Sequence, residues 1–255
     1  MSREKGGFWV SVAAACFYPL SWLGRREYRG AERIPADGGV LLVMNHISHI
    51  DPPNDAVFVH RNKRVPLFMA KDGLFTVPLF GRILAGAGGI PVYRDSASCA
   101  RSSLEVAHQA LADGKLVVIY PEGSITRDPA EWPMSARTGV ARLALEHDVP
   151  VLPAARWGTQ RIWNGYTKRF RPFPRKRVVT SVGEPVDLSG YRGKPVTNAL
   201  LREVTELLMH RVADLLAEIR DSPAPAEFYR PHGRSTQDGG AGSAGSAVET
   251  DGTGG

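Results

Sequence analysis

The segment VMNHISHIDPPND, Val43 to Asp55, places His46, His49, Asp51 and Asp55 within thirteen residues. An imidazole paired with a carboxylate is a general base: the carboxylate holds one ring nitrogen and the other takes a proton. His46 and Asp51 are five positions apart. On a helix they would face roughly 140° apart, and on a strand they would point to opposite faces. Only a tight strand-to-helix turn brings them together. Two other readings compete. Asp51 before Pro52 could simply cap a helix whose first residue is that proline. His46 and His49 form an H-x-x-H pair, but no third ligand of suitable spacing stands nearby, so no metal is expected.

Two further clusters carry chemistry. In PEGSITRD, Gly123 lets a backbone approach a ligand, Ser124 and Thr126 offer hydroxyls, and Arg127 could clamp an anion. Glu122, directly after an apolar run, fits either a substrate hydroxyl or an ion pair with an arginine. In GGIPVYR, Arg94 has the fork that binds phosphate bidentately, and Lys71 could add a second positive charge. Taken singly, each reads equally as a surface charge.

The elements that must hold these residues alternate. Apolar runs at Gly38–Asn45, Val65–Ala70, Lys115–Pro121 and Val149–Trp157 read as buried strands, with shorter ones at IPVYR and RKRVVTSVG. Helices are predicted from Asp51, over VPLFGRILAGAGG, from Ser96 to Asp113, over TGVARLALEHD, and from Thr197 to Arg220, where leucines and valines follow the helical period. This alternation predicts an α/β fold: a mixed, mostly parallel central sheet flanked by helices. Ligands in such sheets bind beyond the carboxyl ends of the strands, and the three clusters follow strand ends.

The 255-residue chain is long enough for one α/β domain with appendages. Its formal charge of +6 suits nucleic acid, an anionic membrane or phosphorylated substrates without choosing among them. Cys16 and Cys99 read as reduced thiols rather than a disulfide or zinc framework. From Phe8 to Leu23 there is no charged residue, while Arg25, Arg26 and Arg29 follow. The run is short of the roughly 20 residues a spanning helix needs, and Pro19 interrupts it. It fits a signal peptide, a core helix or an interfacial anchor; its Trp and Tyr residues and flanking arginines favour the anchor. Three parts are expected: an N-terminal membrane-associated helix over 1–30, a catalytic domain over 31–220, and a disordered Gly/Ser/Ala-rich tail over 221–255. Val149–Gly183 contains no acidic residue and interleaves eight Arg and Lys with Trp and Phe. That suits an anionic membrane or donor phosphates, ahead of a merely solvated loop, with single-stranded nucleic acid the weakest reading.

Together the motifs resemble the glycerolipid acyltransferase family, specifically the bacterial lysophosphatidic acid acyltransferases. Asn45-His46 through Asp51 is similar to its N-H-x-x-x-x-D motif, GGIPVYR to its second, PEGSITR to its third and VPVLP to its fourth, in the family's order. Ser124 stands where threonine is commoner, and Arg137 where a lysine is expected. The resemblance implies acyl transfer from acyl-CoA or acyl carrier protein to a hydroxyl of 1-acylglycerol 3-phosphate, at the cytoplasmic face of the membrane. It implies His46 as base and Asp51 as its orienting partner. Lys71 and Arg94 would bind phosphate, and Glu122 and Gly123, with Ser124 and Arg127 beside them, would bind the acceptor. No cofactor, metal or covalent acyl-enzyme is implied, and nucleic acid is not an expected partner. Two alternatives remain: acylation of glycerol 3-phosphate or another polar lipid, and a non-enzymatic basic module binding lipid or nucleic acid.

Overall fold

The computed structural model describes residue 4, residues 6–93 and residues 97–231. A seven-stranded sheet runs through the molecule in the order β1-β9-β6-β2-β5-β3-β4. Its strands are β1 (Gly24–Arg29), β2 (Val40–Met44), β3 (Pro66–Lys71), β4 (Ile90–Val92), β5 (Leu116–Ile119), β6 (Val151–Trp157) and β9 (Lys176–Val182). Neighbours from β6 to β4 pair in parallel, β6 and β9 pair antiparallel, and β1 runs parallel to β9. The expected mixed, mostly parallel sheet is therefore present. A two-stranded hairpin, β7 (Trp163–Asn164) and β8 (Arg169–Phe170), stands outside it.

Strand periodicity divides the core. Leu41 and Val43 of β2 pack with Val117 and Ile119 of β5 under three helices, α4 (Ala97–Ala112), α5 (Gly139–Glu146) and α6 (Asn198–Arg220). Val40, Leu42 and Met44 turn to the other face and meet Phe58 and Val59 of α2 (Asp51–Arg61). Both faces are covered, which is why β2 and β5 are continuously apolar. Outside α2 lie α1 (Phe8–Trp22) and α3 (Phe80–Gly86).

Three sequence expectations change, and a fourth element, α1, keeps the exposed apolar residues expected of it. Asp51 opens α2 but does not cap it; the cap position is Ile50, with proline in the first turn, and the Asp51 carboxylate serves the preceding loop. β1, sequence GRREYR, was hidden by its charges, which suit an edge strand: Glu27 takes Arg29 along the strand and Arg177 across it. Residues 221–231 do not trail away, because Tyr229 bridges to Met134. The rest of the expected tail, 232–255, lies outside the described residues. Finally, α1 packs on α2 and α3 yet leaves Phe8, Leu20 and Trp22 exposed. Among the described residues no helix is long and apolar enough to cross a membrane.

Candidate active site

β2, β5, β3, β4 and β6 all deliver their carboxyl ends to one edge of the sheet. β2 ends at Met44, and the chain turns through Asn45–Ile50 into α2. Asn45 is buried at the bend and clips it to β6: its Nδ2 donates to the Arg156 carbonyl at 3.0 Å and its Oδ1 accepts the Arg156 N–H at 2.7 Å. Two side-chain bonds thus extend the β2–β6 ladder by one residue, which explains an amide at this position.

His46 follows. Its Nδ1 lies 2.9 Å from Asp51 Oδ2. The same oxygen accepts the N–H groups of Ile47 at 2.7 Å and Ser48 at 2.8 Å. Oδ1 accepts the hydroxyl of Thr159 at 2.5 Å. Burial pushes the Asp51 carboxyl up, but the hydrogen bond and charge of His46, the Arg156 charge and the Thr159 hydroxyl outweigh it, and the group is held below the usual carboxylate range. An ionised Asp51 against Nδ1 leaves Nε2 as the acceptor nitrogen. Among the described residues Nε2 has no hydrogen-bond partner, and 15% of the His46 side chain is exposed. Thr159 reaches Asp51 because Gly158 turns at φ 109°, where a Cβ would lie 2.0 Å from the Arg177 carbonyl oxygen.

The loop after β5 fixes the base from the other side. Gly123, at φ 72°, tightens the turn, and its N–H donates to the Tyr120 carbonyl at 2.9 Å. Glu122 is fully buried. Its Oε1 accepts the His46 N–H at 2.9 Å and its Oε2 the Met134 N–H at 3.0 Å. Thr126 N–H donates to the His46 carbonyl at 2.8 Å. The main chain of His46 is thus held at both its donor and its acceptor. Burial pushes Glu122 up to about 8, against the two N–H bonds that favour the ionised form. Glu122 thus braces the main chain of His46 through these two amides, a role that sequence reasoning did not give it.

A buried polar chain backs the imidazole. Tyr120 stacks on His46 with ring centroids 4.5 Å apart and an interplanar angle of 21°. Its hydroxyl donates to Asp55 Oδ2, and Asp55 pairs with the buried Arg156 guanidinium. Burial pushes Arg156 down to about 10, still leaving it a cation at neutral pH. Sequence reasoning gave no role to Tyr120, Asp55 or Thr159, and counted Arg156 in the basic surface stretch, whereas it is fully buried. One signal was available: Asp55 lies one helical turn after Asp51 on the same face, and Arg156 is the one charge within the apolar strand VLPAARW.

The remaining expected residues are spread along the edge. Lys71 ends β3, exposed; Ser124 is half-buried and Arg127 exposed. Arg94 lies outside the described residues. His49 does not join His46; it is exposed, with its ring edge-on to Trp163. Among the described residues no group of His, Cys, Asp and Glu is arranged to hold a metal ion. Beside the site, an almost wholly apolar cavity runs between α1, α2, α3 and β3, lined by Phe17, Val57, Phe68, Ile83 and Leu84 among others. Phe68 also stacks on Tyr120, with centroids 6.4 Å apart, so the cavity wall is one ring away from the ring that carries His46.

The chain is similar to several known proteins. The 1-acyl-sn-glycerol-3-phosphate acyltransferase of Borreliella burgdorferi is 27% identical over 147 residues, covering 57% of each chain. The protein of the same name from Limnanthes douglasii is 29% identical over 136 residues, 52% of this chain and 46% of its own. The chain thus spans about half the length of these curated relatives. The crystal structure of the 1-acyl-sn-glycerophosphate acyltransferase PlsC from Thermotoga maritima superposes with a TM-score of 0.62 at 26% identity, covering 82% of this chain and 80% of that one. The family model described as Acyltransferase matches residues 25–157, from the first strand through the base, the brace and Arg156, and the chain belongs to that acyltransferase family.

Proposed function

We propose that this protein acylates the free hydroxyl of 1-acylglycerol 3-phosphate, using an acyl thioester of CoA or acyl carrier protein, and so forms phosphatidic acid. The observation that carries this reading is the His46–Asp51 pair at 2.9 Å, with Nε2 open at the strand edge. In the reaction, Nε2 takes the proton of the acceptor hydroxyl while its oxygen attacks the thioester carbonyl. The new C–O bond forms, the C–S bond breaks, and the departing sulfur takes the proton from the imidazolium. Asp51 stabilises that imidazolium, which contributes about 10²- to 10⁴-fold for a positioned base. Lys71 and Arg94 are assigned to the acceptor phosphate. The apolar cavity next to Tyr120 offers an acyl chain a place out of water.

On this reading the protein works at the cytoplasmic face of the cell membrane, held peripherally by the uncharged outer stripe of α1; the exposure of Phe8, Leu20 and Trp22 supports it. The test is release of free CoA from a long-chain acyl-CoA on adding 1-acylglycerol 3-phosphate, with glycerol 3-phosphate and monoacylglycerol as parallel acceptors. Thiol release with the first acceptor supports the reading. Release with glycerol 3-phosphate alone moves the protein to another acceptor, and none with any acceptor or with an acyl carrier protein donor refutes acyl transfer.

A further inference from the structure

The β7–β8 hairpin exposes a set of side chains that the proposed chemistry does not use. Tyr166 is 58%, Phe170 55% and Phe173 66% exposed, and Trp163 is also open to solvent. Lys168, Arg169 and Arg171, all exposed, lie among them. Burying one such ring is worth about 1.5–3 kcal/mol, so several together on one small hairpin mark a surface that is covered in use.

Three contacts strap this hairpin to the active-site loops. The Trp163 carbonyl accepts the Ser48 hydroxyl at 2.6 Å, and the Tyr166 hydroxyl donates to the Ile125 carbonyl at 2.8 Å. The His49 ring meets the Trp163 ring edge-on, with centroids 5.9 Å apart. On its other side the segment joins α1: the Arg175 guanidinium lies 4.4 Å from the Trp22 ring centroid and donates to the Gly24 carbonyl at 2.8 Å.

We infer that residues 163–175 form a second membrane-contact surface, which docks on a bilayer with anionic headgroups and brings the mouth of the active site against it. Charge complementarity selects the occupant. Val149–Gly183 contains no acidic residue, so basic side chains would meet anionic headgroups while the aromatic rings enter the interfacial layer. Single-stranded nucleic acid also uses basic residues and aromatics, but it offers nothing to the adjoining uncharged stripe of α1. A bilayer matches both. This surface goes beyond an α1 anchor, and its test does not depend on which acceptor is acylated.

The experiment places an environment-sensitive fluorophore on the hairpin of the full chain. In a background with Cys16→Ser and Cys99→Ser, Thr167→Cys is labelled at the exposed tip, and Glu218→Cys on the outer face of α6 serves as the control. With vesicles of phosphatidylglycerol and phosphatidylcholine, the label at 167 is expected to shift blue and brighten, whereas the one at 218 is expected not to change. Lys168→Gln with Arg171→Gln should weaken vesicle affinity by about tenfold or more at low salt, from roughly 1 kcal/mol per charge. Phe173→Ser, at an exposed position, should do the same with the fold intact by circular dichroism. A protein that sediments with vesicles while the label at 167 stays silent overturns the inference. So does a response to a single-stranded oligonucleotide with none to vesicles.

Discussion

Glu122 holds His46 by its main chain: Oε1 accepts the His46 N–H at 2.9 Å, while Thr126 closes the His46 carbonyl at 2.8 Å. The P-E-G loop therefore fixes His46 through its main chain. Because burial raises Glu122 from 4.5 to about 8, the folded protein keeps a proton that the unfolded chain has released across that interval. Its contribution to stability is fully present below the unfolded value and is lost as pH rises through the folded one. Urea unfolding at about pH 5.5 and pH 8.5 should show this loss in the wild type and a smaller one in Glu122→Gln, which cannot titrate. Equal slopes in both proteins would mean that Glu122 is ionised throughout.

Tyr120 joins the imidazole to the Asp55–Arg156 pair. Tyr120→Phe keeps the stacked ring but removes the donor to Asp55, and should cost about 1–3 kcal/mol of stability with turnover changed less than about tenfold. Tyr120→Ala removes the ring behind His46 and should lower turnover further. Thermal unfolding with steady-state kinetics separates the two effects. A turnover in Tyr120→Ala equal to that of Tyr120→Phe would show that the stack does not position the base.

Asp51→Asn keeps an oxygen for the Ile47 and Ser48 N–H groups but removes the charge that stabilises the imidazolium. We expect about a 10²-fold loss in turnover, smaller than the loss on removing His46, without collapse of the loop by circular dichroism. Thr159→Val should cost about 1–2 kcal/mol of stability and far less activity, because Oδ2 rather than Oδ1 faces His46.

Much of this was legible from residue order. The apolar runs of β2, β5 and β6, the helical period of α6 and the His46–Asp51 spacing all report burial or turn geometry that acts within a few residues. The parts that were not legible depend on contacts distant in the chain. Asp51 resembles a helix cap until Thr159, 108 positions away, is seen beneath it. The hold of Glu122 on the His46 and Met134 amides, 76 and 12 positions away, shows only in the folded chain. β1 lacks a hydrophobic signal because an edge strand is solvated, and its pairing with β9 shows only in the sheet.

The phosphate assignment has its own signature. Lys71→Ala and Arg94→Ala should raise KM for 1-acylglycerol 3-phosphate while leaving KM for the acyl-CoA donor near that of the wild type. Neither should add much loss with monoacylglycerol, which lacks the phosphate. Equal losses for both acceptors would make these side chains structural.

The central claim is that His46 Nε2 removes the proton of the acceptor hydroxyl. The most direct measurement is the single-turnover rate of acyl transfer to 1-acylglycerol 3-phosphate by His46→Ala, with its circular dichroism spectrum and thermal midpoint recorded beside the wild type. The account predicts a loss of at least about 10²-fold with the fold retained. A well-folded His46→Ala protein that transfers the acyl chain at close to the wild-type rate would contradict it.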